Sequence, residues 1–215
     1  MRGRRLIPVL LPALLAATAV IDRVAVTVNG QMITLRRIHN DLRITAMLNR
    51  EPLDLGNGSM RKAAERLIDQ ALLRREMELT GFPLPKEDEA SKVLEQVKAQ
   101  RFPTETEYRQ VLEEYGVTGQ MLREYFLWQV AILRFVDFRF SPGILLSESE
   151  LEKYYRDVFA PEWVRRHGGV PPAMEKVRPQ IEQGLKARRT NEALDRWLKA
   201  ALSRSEIRYH PEVFR

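Results

Sequence analysis

The sequence predicts a mainly α-helical protein: a helical core with a small β-hairpin at its N-terminus, and a long C-terminal helix and strand that pack back on the N-terminal region. Three observations carry this. Asn29-Gly30 separates two β-prone runs, Arg23 to Val28 and Gln31 to Thr34, and Asn-Gly is the strongest short-range hairpin signal because a type I′ turn needs positive φ at both central residues. Apolar residues then recur at i, i+3, i+4 in successive segments bounded by capping residues and by Gly or Pro. Glu206 to His210 is the only other segment with strand character. An isolated two-stranded hairpin is marginal in water, so this tail is expected to pair with it and bring the two ends together. With 215 residues, no cysteine, 11 Gly and 12 Pro, the composition excludes a disulfide scaffold, a cysteine-ligated metal protein, a thiol enzyme and a low-complexity chain.

Met1 to Arg5 carry three arginines, and Leu6 to Ile21 is apolar but for Thr18. A basic start, a short apolar stretch and the small residues Ala17-Thr18-Ala19 make residues 1–19 a secretory signal peptide, with cleavage expected after Ala19 or nearby. The stretch is shorter than the roughly 20 apolar residues of a membrane span and contains Pro8 and Pro12. Cleavage would remove three arginines and no acid, so the formal charge of +6 falls to +3. The remaining basic residues are interspersed with acids, which argues against a nucleic-acid partner. The mature chain is expected to be exported, without stable membrane insertion.

After the hairpin, Thr34 caps a helix carrying Leu35, Ile38, Leu42, Thr45 and Met47 and ending near Asn49. Glu51 to Gly58 reads as a loop. Ser59 is expected to cap the next helix, whose stripe is Ala63, Ala64, Leu67, Ile68, Ala71 and Leu72, with Gly81 and Pro83 stopping it. A shorter helix runs from about Asp88 to Gln100. Thr104 to Glu107 and Ser147 to Glu150 are capping boxes, opening a helix from Glu105 to Tyr115 and one bearing Leu151, Tyr154, Tyr155 and Val158. Between them, Thr118 begins a long aromatic helix that Ser141-Pro142-Gly143 stops near Phe140. Ala160 to Pro172, with Pro161, Gly168-Gly169 and Pro171-Pro172, reads as a non-helical connector. Val177, Ile181, Leu185, Leu194, Trp197, Leu198 and Leu202 mark the last helix. The predicted organisation is thus a signal peptide over 1–19, a helical region with its hairpin over 20–159, a connector over 160–172, and a helix and strand over 173–215 that complete the same core.

Chemistry-bearing patterns are sparse. His39, His167 and His210 lie in three separate elements, and a metal site needs several convergent ligands. Glu148 and Glu150 occupy a helix's first turn, where the macrodipole favours acids. Gly56-Asn57-Gly58 and Gly168-Gly169 lack the strand-before, helix-after context of a phosphate cradle. Lys186 to Arg189 shares its helix with Glu182, Glu192 and Asp195, which reads as a solvated face. No catalytic residue, metal or cofactor is assigned. What stands out is the segment from Gln120 to Phe140, whose apolar positions spread over more than half of a helix circumference, against the stripe of about 100° of an ordinary surface helix. Tyr125, Ile132 and Val136 lie at the centre of that arc, with Trp128, Phe135 and Phe138 on one shoulder. A central helix covered by its neighbours accounts for much of this; a shoulder left uncovered would be an apolar surface for extended polypeptide. The candidate peptide-binding residues are Met121, Tyr125, Trp128, Phe135, Phe138 and, on the later helix, Tyr154.

The run Val20-Ile21-Asp22-Arg23-Val24-Ala25-Val26-Thr27-Val28-Asn29-Gly30-Gln31-Met32-Ile33-Thr34 resembles the opening of the mature SurA-type periplasmic chaperones. The resemblance continues through Leu67-Ile68-Asp69-Gln70-Ala71-Leu72-Leu73, Phe102 to Tyr115 and Leu122 to Leu133, and through Val177-Arg178-Pro179-Gln180-Ile181 with Trp197-Leu198 in the terminal helix. It covers nearly the whole mature chain in order. One departure is plain: where that family carries one or two parvulin-type peptidyl-prolyl isomerase domains, each around a hundred residues, about a dozen residues stand here, too few for such a domain. The resemblance implies a chaperone core without the isomerase. It implies an ATP-independent holdase that binds unfolded outer-membrane or secreted polypeptides through an apolar, aromatic-rich helical surface, and not an enzyme. The alternative is a periplasmic assembly or scaffold subunit with one fixed protein partner; an active isomerase ranks below both. Exchange of the C-terminal arm between two chains would give a swapped homodimer.

Overall fold

The computed structural model describes residues 22–214, so the signal-peptide expectation lies outside the described residues. Strands β1 (Val24–Val28) and β2 (Gln31–Thr34) form the expected antiparallel hairpin. Asn29 and Gly30 turn it with φ of 47° and 85°, the positive values that a type I′ turn demands. The register slips between Val24 and Val26. At this bulge the neighbouring residues Ala25 and Val26 are both fully buried, which breaks the usual alternation of a strand's two faces.

The tail returns as expected. Strand β3 (Ile207–Tyr209) pairs antiparallel with the free edge of β1, giving the order β2-β1-β3. Asn29 fastens this junction: its N–H donates to the Glu206 carbonyl at 2.9 Å, its Oδ1 accepts from Glu206 N at 3.0 Å, and its Nδ2 donates to Ser205 Oγ at 3.0 Å. One Asn therefore supplies both the turn conformation and the clamp on the chain's other end.

Helix α1 (Leu35–Asn49) starts where Thr34 Oγ1 accepts from Arg37 N and stops at Arg50, which takes the left-handed conformation. Helix α2 (Asn57–Leu79) begins two residues before the expected Ser59 cap. Asp54 holds this entry: its carboxylate accepts from Gly56 N at 2.8 Å and from Ser59 Oγ, in the helix's first turn, at 2.5 Å. All six residues of the stripe expected on α2 are buried.

Helices α3 (Glu87–Arg101), α4 (Glu105–Tyr115) and α5 (Gly119–Phe140) follow the boundaries read from the sequence to within a residue or so. Thr104 caps α4 by accepting from Glu107 N at 3.1 Å, but the Glu107 carboxylate contacts Arg50 at 3.3 Å. Helix α6 (Glu148–Tyr154) opens on a complete capping box from Ser147 and Glu150.

The expected connector over 160–172 is overturned in its first half. The chain continues without a break through a π-helical turn, Tyr155–Phe159, into α7 (Ala160–His167). Proline in a helix interior loses a hydrogen bond and clashes with the carbonyl four residues before it. The wider π turn placed directly ahead of Pro161, with Ala160 N donating to the Tyr155 carbonyl, accommodates the ring. Only residues 168–173 link α7 to α8 (Met174–Ser203), which contains Pro179 within its second turn.

The buried apolar side chains gather in four clusters. The first joins the sheet face (Ala25, Val26, Val28, Ile33) to α2 and to Val213 and Phe214 from the tail. The second packs α1, α3, α4 and the first half of α5 around Met47, Leu94, Phe102 and Leu122. The third holds Ala131 and Phe135 of α5 against Leu73 and Met77 of α2, with Leu194, Trp197 and Leu198 of α8 at its edge. The fourth, around Leu151, Val177, Ile181 and Leu185, ties α6 to the first half of α8. Helix α8, about 45 Å long at 1.5 Å per residue, thus has one end in this fourth cluster and the other beside the sheet.

Candidate functional site

Three helices each present residues at i, i+3 or i+4, and i+7, one face of a helix, to a shared open groove of about 350 Å³. Helix α1 contributes Arg37, Asn40, Asp41 and Ile44; α2 contributes Leu67, Gln70 and Arg74; α5 contributes Met121, Glu124, Tyr125 and Trp128. The volume lies at the lower end of the range of about 300–1,000 Å³ usual for small-ligand pockets.

The groove's polar groups are held in place. Asp41 is 8% exposed and meets Arg66 Nη2 at 2.5 Å, which supplies the counter-charge a buried carboxylate requires. Trp128 donates from Nε1 to Gln70 Oε1 at 2.8 Å, and the Arg74 guanidinium lies 4.3 Å from its ring centroid, in cation–π range. Burial, reinforced by the Asp41 carboxylate, pushes the Tyr125 phenol above its ordinary pKa, so it presents a neutral hydroxyl. Burial, with the Arg74 charge adding to it, lowers the Arg37 pKa.

The six residues expected to bind peptide separate into different environments. Met121, Tyr125 and Trp128 meet in the groove, all partly buried. Phe135 does not belong to any surface: it is completely buried, edge-to-face with Phe82 at 5.2 Å. The centre of the α5 buried face is Leu122, Phe126, Ala131 and Phe135, because α2 and α8 cover the side that an isolated helical projection assigns to a shoulder. Phe138 is 61% exposed, with its ring 5.4 Å from Phe82, and stands about 15 Å along α5 from Trp128 at 1.5 Å per residue. Tyr154 belongs to the fourth cluster with α8, away from the groove.

Arg37, Asp41, Gln70 and Arg74 were not singled out by the sequence. Their signal is a polar row spaced by four, Arg66, Gln70 and Arg74 on α2 and Arg37 and Asp41 on α1, running beside each apolar stripe. A second depression, about 320 Å³ between α6 and α8, is lined by Glu150, Arg188, Arg189 and Glu192. Most of its charges are matched, with Arg189 to Glu150 at 2.6 Å and Arg188 to Glu192 at 3.1 Å, and Tyr154, Val158 and Leu185 also line it, beside Lys153.

Among the described residues the three histidines lie apart. His39 is partly buried on α1, His167 stacks on Trp163 at 4.2 Å, and His210 faces Glu212 at 3.6 Å. No group of three or more His, Asp or Glu among the described residues is arranged to hold a metal ion, and no described helix is long and apolar enough to cross a membrane. No family model matches the chain, and no curated protein aligns with it significantly.

Proposed function

We propose that this chain is an exported, ATP-independent chaperone that holds unfolded polypeptide, outer-membrane precursors among them, by reversible apolar contact. The observation that carries the reading is the groove between α1, α2 and α5. Its Met121, Tyr125 and Trp128 stand beside Ile44 and Leu67, on a scaffold closed by both ends of the chain. The ordered resemblance to the SurA-type core supports the same reading. An aromatic client side chain burying about 150–250 Å² would gain roughly 4–6 kcal/mol before ordering and association costs are subtracted. Those costs leave weak binding, which a holdase needs in order to release its client. Met121 and the aromatic rings can repack against different side chains.

The test is to dilute a urea-denatured outer-membrane protein into buffer with and without the protein and follow light scattering. Suppressed aggregation at a few-fold excess supports the proposal; scattering unchanged at all ratios refutes it. A scaffold with one fixed partner is favoured by a different observation: Leu145 and Val170, 89% and 91% exposed, flank the α6–α7 arm. Affinity capture yielding one stoichiometric partner in place of many unfolded chains would select that reading.

A further inference from the structure

Most arginines on this surface have an acid beside them; two in the groove do not. Arg37 on α1 and Arg74 on α2 both line it, and among the described residues neither makes an ion pair. Of the two acids in the groove, Asp41 is paired with Arg66 at 2.5 Å, and Glu124 accepts from the Gln120 amide at 2.7 Å while keeping its charge. Arg74 is further held over Trp128, and its Nε is a buried donor with no hydrogen-bond partner. A buried donor without an acceptor is costly, and two neighbouring cations repel. Burial and the Arg74 charge lower the Arg37 pKa, and the Asp41 carboxylate offsets only part of this. An anion between the two guanidiniums would relieve both terms, and guanidinium forks suit carboxylates.

The rest of the groove restricts which anion. Leu67, Met121, Tyr125 and Trp128 flank the cationic end, so the ligand must carry its charge next to an apolar group within about 350 Å³. In an unfolded polypeptide an Asp or Glu beside an apolar residue offers the two groups on separate residues, whereas one place offers them together. At the chain's last residue the α-carboxylate and the side chain leave the same carbon. Along the rest of the backbone there is no charge to offer.

We propose that the groove receives the C-terminus of a client chain. The α-carboxylate sits between Arg37 and Arg74, and the last side chain, apolar or aromatic, lies against Leu67, Tyr125 and Trp128. This inference rests on the polypeptide-binding function and narrows it to a preferred end of the client. It also gives Gln70 a role, since its hydrogen bond to Trp128 fixes the ring on which Arg74 lies.

The experiment measures fluorescence anisotropy of an N-terminally labelled hexapeptide ending in Phe, as the free acid and as the C-terminal amide, with the purified protein. The free acid is expected to bind at least about tenfold tighter, the worth of one charge-assisted hydrogen bond pair. Arg37→Gln and Arg74→Gln should each erase most of that ratio, and Arg37→Lys and Arg74→Lys should retain part of it. Circular dichroism of each variant verifies folding, and the lysine variants keep the test decisive if a glutamine variant does not fold. Equal binding of acid and amide by a protein that still suppresses client aggregation overturns the inference and leaves the chaperone function standing. No binding of either peptide together with no suppression overturns both. Displacement of the free acid by phosphatidylglycerol vesicles, with no acid-over-amide preference, would assign the arginines to a lipid surface and overturn the inference as well.

Discussion

Phe135 and Phe138 lie three residues apart on α5, and the sequence places both on the same shoulder of the helix. The structure gives them opposite duties, and their replacement by Ala separates the two. Phe135 is 0% exposed and packs edge-to-face with Phe82 at 5.2 Å and Phe140 at 6.4 Å. A buried Phe→Ala replacement costs about 3–5 kcal/mol through lost transfer energy and the cavity left behind. Two aromatic partners place Phe135→Ala in the upper part of that range, about 4–5 kcal/mol. At about 2–4 °C per kcal/mol for a domain of this size, Tm falls by roughly 8–20 °C. Phe138 is mostly in water and keeps one ring contact, with Phe82 at 5.4 Å, so Phe138→Ala should cost no more than about 1 kcal/mol. Urea titrations followed by circular dichroism, with thermal melts alongside, measure both. Two results would each refute the assignment of Phe135 to the core and Phe138 to the surface: costs within about 1 kcal/mol of one another, or Phe138→Ala the more damaging.

Other changes test other joints of the fold. Phe214, 3% exposed beside the sheet face and under Arg61 at 5.4 Å, anchors the tail; Phe214→Ala should destabilise by about 3 kcal/mol or more in the same urea assay, and a loss below about 1 kcal/mol would mean the two ends are not joined in solution. Gly116 ends α4 at φ 61°, and a Cβ there would crowd the Arg43 guanidinium, so Gly116→Ala should cost about 1–2 kcal/mol; a neutral result would contradict the left-handed cap. Burial, with Glu65 and Asp195 adding to it, raises the Asp69 pKa above its ordinary 3.8. The folded state then holds this proton more tightly than the unfolded chain does. The stability it contributes is present below pH 3.8 and is lost as pH rises through the folded value. Asp69→Asn should therefore raise the urea midpoint at pH 7 and lose that gain near pH 3, and an equal gain at both pH values would rule out the titration as its cause.

The sequence by itself determined the local course of the chain wherever a short-range rule has no competitor. Asn29-Gly30 admits few conformations other than a tight hairpin turn, Thr34, Thr104, Thr118 and Ser147 each accept the backbone N–H expected of a helix cap, and Gly116 ends its helix where a positive φ is needed. The stripe on α2 was legible because its apolar residues recur at helical spacing and all of them are covered, by the sheet and by neighbouring helices. Where the rules competed, the chain alone misled. Pro161 reads as a helix breaker until the π turn before it widens the ladder, and Ser59 reads as a cap although the helix starts two residues earlier, after the Gly56 turn that Asp54 holds. The groove is the clearest case of what only the tertiary structure decided. Arg37, Arg74 and Trp128 belong to three helices up to about ninety residues apart in the chain, and no periodicity within one helix can say that their faces meet. On α5 the apolar arc is wide enough to satisfy several neighbours, so its hydropathy leaves open which rings are covered; the packing of α2 and α8 buries Phe135 and leaves Phe138 in water. Burial is a property of what surrounds a residue, and those surroundings come from distant parts of the chain.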